Sequence, residues 1–559
     1  MGKQGTTILI DSLKEAGVET IFALPGGSVI PLFDELYEDP LNVVLTRHEQ
    51  GAGHMADGYA RATGKVGVCL TTSGPGATNL VTALATAYMD SVPVVALTGQ
   101  VKTHLIGNDA FQEADVTGIT RPVTKHNYLV KDVKDLARTV KEAFHIASTG
   151  SPGPVLIDLP VDVTTNEVDG EPEDEMGLSG YKTILEGHSG QIKKAAEAIN
   201  EAEKPVLYAG GGVILSGASE ELTELARKAN LPVTTTLMGL GAFPEDDPLA
   251  LRMLGMHGTV YANYAVQECD LLISVGARFD DRVTGKLSSF APHAKIIHID
   301  ISPASIGKSV AVDIPVVGDA QTVLKELINV VHKGEREKWL QQIEDWKERF
   351  PLEYDREASD VKPQYVMEQI HEVTDGKAII ATDVGQCQMW AAQYFTYTRP
   401  RTYLSSGGLG TMGYGLPAAI GAQVGCPDDS VWLVAGDGSL QMNIQELSTA
   451  VIQKLPVKIA LLNNGYLGMV RQWQELFYDR RYSHTELGSG NPDFCKLAEA
   501  YGAVGISVDD REGVRPAIDK AMEVADRPVL IDFHIQPEEN VFPMVPAGEA
   551  IDRMLSGMA

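Results

Sequence analysis

The chain is short of several things that would tie it to a membrane, a disulfide frame or a nucleic acid. Its five cysteines (Cys69, Cys269, Cys387, Cys426, Cys495) are odd in number and never spaced C-x-x-C. That predicts reduced thiols, not a disulfide frame or a zinc site. Positive charge is scarce: 46 Lys and Arg stand against 75 Asp and Glu, a formal charge of −29. Such a field repels nucleic acid and anionic membrane, so any anionic substrate must be drawn in by local positive groups. No apolar run approaches the length of a membrane helix. The N-terminus predicts neither a hydrophobic signal region nor an Arg- and Ser-rich transit segment, and a cytoplasmic protein is expected. Met1 to Thr6 fits the loose myristoylation pattern, but nothing polybasic follows and the match reads as chance.

At 559 residues the chain is too long for one core and fits about three to four domains of ~150 residues. Residues 1–165 alternate helix and strand patterns: strands Thr20 to Leu24, Val43 to Thr46, Val66 to Thr72, Val92 to Thr98 and Val155 to Leu159 predict a parallel α/β sheet. Residues 166–189 lose periodicity and are rich in Glu, Asp, Gly and Ser, which reads as a linker. Residues 190–350 form a second α/β unit that ends in a charged helix. The third runs over 364–536, and 537–559 is expected to be a mobile arm covering the site. Pro528 to Asp532 repeats Pro154 to Asp158 as PVLID. Both fall on a last strand, which suggests two related domains flanking a different middle one. The expected fold class is α/β, with three doubly wound parallel-sheet domains.

The most telling stretch is Gly436 to Asn464. An apolar strand ends in Gly436-Asp437-Gly438, a helical pattern follows, and a second apolar strand ends in Asn463-Asn464. In a parallel sheet both strand ends lie on the ligand-binding edge. A carboxylate and an amide oxygen are hard donors suited to Mg²⁺, which usually retains substrate phosphate oxygens in its shell. The glycines leave room for a phosphate, and the helix start favours an anion. Turn formation alone would explain Asp437, but not the whole GDG, helix, strand and NN pattern.

Other motifs weigh less singly. Glu49, between a strand and a small-residue helix, could be a simple helix N-terminal charge. Gly408 to Gly413 satisfies G-x-G-x-x-G, but the acid expected about 20 residues on is missing. Gly276 to Arg282, with two Arg and two Asp, could be a solvated ion-pair loop, yet it follows a strand where ligands bind. Gly210 to Gly212 permits close backbone approach to a second phosphate-bearing ligand. Met469 and Trp473 share one helical face and are either core or an apolar wall for a small substrate.

Together RHEQGA, TTSGPGATNLVTALA, GNDAFQEADV, GARFDDRVTG, SSGGLGTMGYGLPAA, GDGSLQMN and NNGYLGMVRQWQELFY resemble the thiamine-diphosphate enzymes, and among them the acetohydroxyacid (acetolactate) synthase family, over nearly the whole chain. The resemblance implies that pyruvate is decarboxylated on thiamine diphosphate and the hydroxyethyl carbanion is ligated to pyruvate or 2-oxobutyrate, the first common step of valine, leucine and isoleucine biosynthesis. It makes Asp437, Asn464 and the carbonyl of Tyr466 the Mg²⁺ ligands, and Glu49 the activator of the aminopyrimidine ring. Gln112 and Phe111 would lie beside the reacting centre, Arg282 would pair with the acceptor carboxylate, and Trp473 would favour the larger acceptor. Pro25, Gly26, Gln386, Cys387, Gly410, Met412, Gly436, Gly438, Ser439 and Met469 would contact thiamine diphosphate. A non-redox FAD would draw on Gly210, Gly211, Met256, His257, Gly258, Gly276, Arg278, Asp280, Asp300 and Asp319.

Two residues depart from the family pattern where it touches cofactor. Ser151 stands where the family carries an Arg that contacts FAD, and Cys387 where it carries a His at the diphosphate. The resemblance further implies an active site shared by two subunits, hence a dimer at least, and a small regulatory subunit as partner. Nucleic acid and membrane are not expected as partners. The competing readings are an FAD-linked oxidoreductase of the same fold, such as a pyruvate oxidase, and a non-catalytic scaffold.

Overall fold

The computed structural model describes residues 2–169 and 174–555, so parts of the expected linker and of the expected arm lie outside it. Short strands β1 (Lys3–Gln4) and β8 (Glu167–Val168) pair antiparallel at the edge of the first domain. Between them run β2 (Thr20–Leu24), β3 (Asn42–Leu45), β4 (Gly67–Thr71), β5 (Val94–Gln100), β6 (His126–Leu129) and β7 (Val155–Pro160). They form one parallel sheet in the order β3-β2-β4-β5-β7-β6.

The middle sheet holds β9 (Pro205–Ala209), β10 (Val233–Thr235), β11 (Ala250–Met253), β12 (Leu271–Val275), β13 (Lys295–Asp300) and β14 (Ile314–Val317), in the order β11-β10-β9-β12-β13-β14. The third holds β15 (Ile379–Thr382), β16 (Tyr403–Leu404), β17 (Val431–Gly436), β18 (Lys458–Asn463), β19 (Val504–Val508) and β20 (Val529–His534), in the order β16-β15-β17-β18-β20-β19. All pairings in these two sheets are parallel as well. The expected class of three doubly wound parallel sheets is what the chain adopts.

Numbered from its own first strand, each outer sheet runs 2-1-3-4-6-5, whereas the middle sheet runs 3-2-1-4-5-6. The two PVLID segments lie on β7 and β20, the same position in the two outer sheets. Strand order reverses between β2 and β4, between β9 and β12, and between β15 and β17. Ligands of doubly wound sheets bind in the crevice at such switch points.

Five helices position the site: α1 (Glu49–Thr63), α2 (Val81–Met89), α3 (Gln386–Tyr394), α4 (Gly415–Gly425) and α5 (Gly468–Phe477). Helix α1 starts where the His48 ring nitrogen accepts the Gln50 N–H at 3.1 Å, and it ends at Gly64 with φ +77°. Its small residues let it pack directly on α4: a Cβ at Gly58 would strike the Ala418 backbone, and one at Gly421 the Met55 carbonyl. A single hydrophobic cluster therefore runs from Phe22 and Val44 of the first sheet to Leu433 and Leu461 of the third.

Two expectations need correction. The helix after Gly436 is broken into short pieces, Asp437–Leu440 and Leu447–Ile452, joined through a 3-10 turn at Ile444–Glu446, where Glu446 packs closely on Gly51 of α1. The C-terminal segment does not run free over its described length. Val541, Met544 and Val545 are buried, and their backbone N–H groups donate to Gln472, to the Leu555 carbonyl and to the Met256 carbonyl respectively.

Candidate active site

At the third switch point, β17 delivers Asp437 and β18 delivers Asn464. Asp437 is fully buried. One carboxylate oxygen accepts from Asn491 Nδ2 at 2.7 Å, while Oδ1 is buried without a partner. Burial raises its pKa. The Asn464 amide donates to Gln386 Oε1 at 3.1 Å and accepts the Tyr466 N–H at 3.0 Å. Tyr466 thus sits in a tight turn closed on the Asn464 side chain, the turn expected to offer its carbonyl. One carboxylate, one amide oxygen and one carbonyl make an incomplete oxygen shell, the kind Mg²⁺ completes with phosphate and water. The orphaned Asp437 Oδ1 fits that need. Among the described residues no cluster of three His, Cys, Asp or Glu offers another metal site.

The floor of this site is glycine and tight packing. Ser439 Oγ donates to the Gly436 carbonyl at 3.2 Å. A Cβ at Gly438 would meet Met412 Cε at 3.8 Å, and one at Gly468 would strike Gln386 and come within 2.6 Å of Asn464 Nδ2. Gly410 takes φ +71° beside Val384. Cys387 is buried; its thiol donates to the Asp383 carbonyl at 3.7 Å, and burial pushes its pKa far up, so it stays protonated. Asp383 itself accepts backbone N–H groups from Gly413 and Val384 at 2.8 and 3.0 Å.

At the first switch point, Glu49 is the first residue of α1 and is buried. Asn79 Nδ2 donates to its Oε2 at 2.9 Å, and a Cβ at Gly76 would stand 3.4 Å from its Oε1. Gly26, after the exposed Pro25, lies against Thr72, where a Cβ would come within 2.5 Å. Glu446 of the third domain accepts the Arg47 N–H at 3.1 Å and so fixes the entry to α1; burial pushes its carboxyl up to about 7. Gln112 holds φ +59° with its backbone against Gly74, while Phe111 is 88% exposed. Among the described residues no hydrogen bond or ion pair joins Glu49, Phe111 or Gln112 to Asp437 or Asn464.

At the middle switch point a cleft of about 830 Å³ opens among all three domains. Gly211, Met256, His257, Gly276, Arg278, Asp280, Asp300 and Asp319 line it, as do Ser151, Gly410, Arg282, Met469 and Trp473. Gly210 and Gly258 stand behind the wall: a Cβ at Gly210 would strike Gly276, and one at Gly258 the Leu254 backbone. Burial lowers His257 to about 4, hence neutral, and raises Asp300 to about 6. Arg282 and Trp473 meet at the end of this cleft, with the guanidinium 5.9 Å from the ring centre.

Comparison with known proteins gives the family. Residues 3–119 match the N-terminal TPP binding domain of thiamine pyrophosphate enzymes, 192–327 the central domain, and 383–533 the C-terminal TPP binding domain. The acetolactate synthase large subunit of Corynebacterium glutamicum is 52% identical over 98% of this chain and 89% of its own length. The chain belongs to the acetolactate synthase large-subunit family. A second member, the acetolactate synthase large subunit of Haemophilus influenzae, is 48% identical over 99% of this chain and 98% of its own. The probable large subunit of Methanocaldococcus jannaschii is 52% identical over 98% and 94%. Membership makes the chain a thiamine diphosphate-dependent carboligase, and the resemblance drawn from its motifs holds. Asp383, Asn491, Asn79, Glu446 and Gln472 complete the surroundings of these sites and were not singled out in the sequence. Asp383 carries a usable signal, an acid at a strand end before Gly385; Asn491 lies in a stretch that reads only as a turn.

Proposed function

We propose that this chain decarboxylates pyruvate and joins the two-carbon unit to a second pyruvate or to 2-oxobutyrate, opening the biosynthesis of valine, leucine and isoleucine. The observation that carries the acceptor half is the Arg282–Trp473 pair at the end of the cleft. A guanidinium suits a carboxylate through paired N–H groups, and the ring beside it, with Met469, suits a short alkyl tail.

Asp437, Asn464 and the Tyr466 carbonyl would hold Mg²⁺ and through it the diphosphate, with Gly436, Gly438, Ser439, Gln386, Cys387 and Gly410 around it and Met412 against the ring system. Thiamine diphosphate supplies the electron sink for decarboxylation. Glu49 would hydrogen-bond the aminopyrimidine ring, with Pro25 and Gly26 beside it. Its burial strengthens that bond, and the carboxyl is the group that would exchange a proton with the ring. Asn79 orients that carboxyl. Gln112 and Phe111 would border the reacting carbon.

The middle cleft fits FAD. Its strand order, the glycines that follow β9 and β12, and the strand-end acid Asp300 suit a dinucleotide whose ribose hydroxyls need acceptors. A flavin here would have no redox part in the ligation. Because Glu49 and Asp437 share no contact within one chain, the working unit is a dimer in which each chain completes the other's site. A small regulatory subunit is the further partner, and the cytoplasm, suited to five free thiols, the compartment. Among the described residues no helix is long and apolar enough to cross a membrane.

The deciding experiment is an acetolactate assay on purified protein with thiamine diphosphate, Mg²⁺ and FAD omitted in turn. Omission of any of the three should abolish acetolactate formation. Acetate made only with an electron acceptor, and no acetolactate, would replace this reading with a pyruvate oxidase.

A further inference from the structure

An amide can bind Mg²⁺ only through its oxygen, so a ligand asparagine must be held from turning its NH₂ towards the metal. The hydrogen bonds behind Asn464 do this by a chain whose polarity starts at backbone. Gln472 of α5 faces Val541: its Oε1 accepts the Val541 N–H at 2.9 Å, and its Nε2 donates to the Val541 carbonyl at 3.0 Å. Backbone groups cannot exchange roles, which fixes Gln472 in one orientation. Gln386 Nε2 then donates to Gln472 Oε1 at 2.9 Å and to the Glu539 carbonyl at 2.8 Å. Both partners are acceptors only, so Gln386 must turn its own Oε1 away from them, towards Asn464. That oxygen accepts from Asn464 Nδ2 at 3.1 Å. The last amide is left with its oxygen on the far side, where it accepts the Tyr466 N–H.

We propose that Gln472, held by the C-terminal segment at Glu539 to Val541, is a positioning residue that sets the amide polarity of the metal ligand Asn464 through Gln386. All three amides are buried, so water does not compete for their hydrogen bonds. The inference rests on the reading of Asp437, Asn464 and Tyr466 as the Mg²⁺ site. It also gives the packing of residues 539–541 a function: docking of that segment prepares the metal site.

The test measures Mg²⁺ affinity directly, by calorimetry on chelator-treated full-length protein with thiamine diphosphate present. Gln472→Met keeps the volume and removes the relay. It should weaken Mg²⁺ about 10- to 100-fold, the usual cost of losing a partner behind a metal ligand, while FAD affinity stays as in wild type. Asn464→Asp presents an oxygen in either orientation, so in that background Gln472→Met should cause no further weakening. If Gln472→Met does not fold, Gln472→Asn serves: it keeps the groups but cannot reach both Val541 and Gln386. Unchanged Mg²⁺ affinity, or an equal loss in both backgrounds, would overturn the relay. Thiamine diphosphate binding by wild type that needs no Mg²⁺ would instead remove the metal reading beneath it.

Discussion

The guanidinium of Arg282 lies 5.9 Å from the ring centre of Trp473, so a one-turn helix of the middle domain, Asp281–Thr284, meets α5 of the third. A cation within about 6 Å of an indole face is attracted to it. Its carboxylate partner, Asp281 at 3.6 Å, forms a mostly exposed pair and holds it weakly. Arg282 is therefore oriented by the ring yet free to take an anionic substrate. Replacing Arg282 by Ala should lower kcat/KM for the acceptor about 10- to 100-fold, the value of a charged hydrogen bond. Lys should recover only part, since it lacks the paired donors. Trp473→Leu should keep turnover of pyruvate alone but lower the preference for 2-oxobutyrate when both acceptors compete. Product ratios at fixed pyruvate read this out.

Glu49→Gln removes the ionisable carboxyl while keeping the side chain's size. The Asn79 contact at 2.9 Å survives, because the amide oxygen still accepts. Acetolactate formation should fall about 10²- to 10⁴-fold, the span of general acid–base contributions, with thiamine diphosphate still bound. Turnover near wild type would remove Glu49 from the mechanism.

How much of this could be read before the fold was known depends on where each residue's partners lie. Asp437, Asn464 and Glu49 end strands or begin helices, and local patterns place such residues well. The PVLID repeats rightly pointed to two outer sheets alike and a middle one apart, because a central strand's sequence is set by burial on both faces. The two-residue β16 and the edge strands β6, β11 and β19 had too little periodicity to stand out. Gln472 sits in a helix between Arg471 and Trp473 and makes sense only beside Val541, 69 positions away. The same long-range pairing explains why the C-terminal segment, polar and proline-containing, reads as an arm but packs as far as Ile551.

Glu245 gives a pH signature remote from the chemistry. One of its oxygens accepts the Tyr397 N–H at 2.8 Å, the other is buried without a partner, and burial pushes the carboxyl from 4.5 up to about 7. Between those values the unfolded chain has released this proton while the folded chain still holds it, so this group makes stability fall as pH rises. Glu245→Gln should remove that fall, raising stability above about pH 7 by up to ~3 kcal/mol, with a higher unfolding midpoint there and an unchanged one near pH 4.5. Calorimetric scans at the two pH values check it; an equal shift at both would point to packing.

The contact of α1 with α4 predicts intolerance of a single methyl group. A Cβ at Gly421 would strike the Met55 carbonyl, and one at Gly58 the Ala418 backbone. Ala is the better helix former by about 1 kcal/mol, yet forcing backbones apart costs about 1–3 kcal/mol or more. Gly58→Ala and Gly421→Ala should both lower the unfolding midpoint. Ala at exposed Gly490, where nothing lies within 4 Å, should not.

The separation of Glu49 from Asp437 within one chain makes a prediction about two chains. Phe111 stands 88% exposed beside the Glu49 side, an uncommon state for a large apolar residue and one that a second chain's metal half would relieve. If the site is completed across a two-fold axis, Glu49→Gln and Asp437→Ala each disable every site in their own dimers. A mixed dimer brings both faults together in one site and leaves the other intact. Random mixing then yields about a quarter of the sites active under two-fold symmetry. Co-expressing the two variants with different tags and assaying the doubly purified species should recover half of wild-type activity per dimer, roughly, because one site of two is whole. If each chain completed its own site, every site would carry one fault, and the mixed species would be as inactive as its parents.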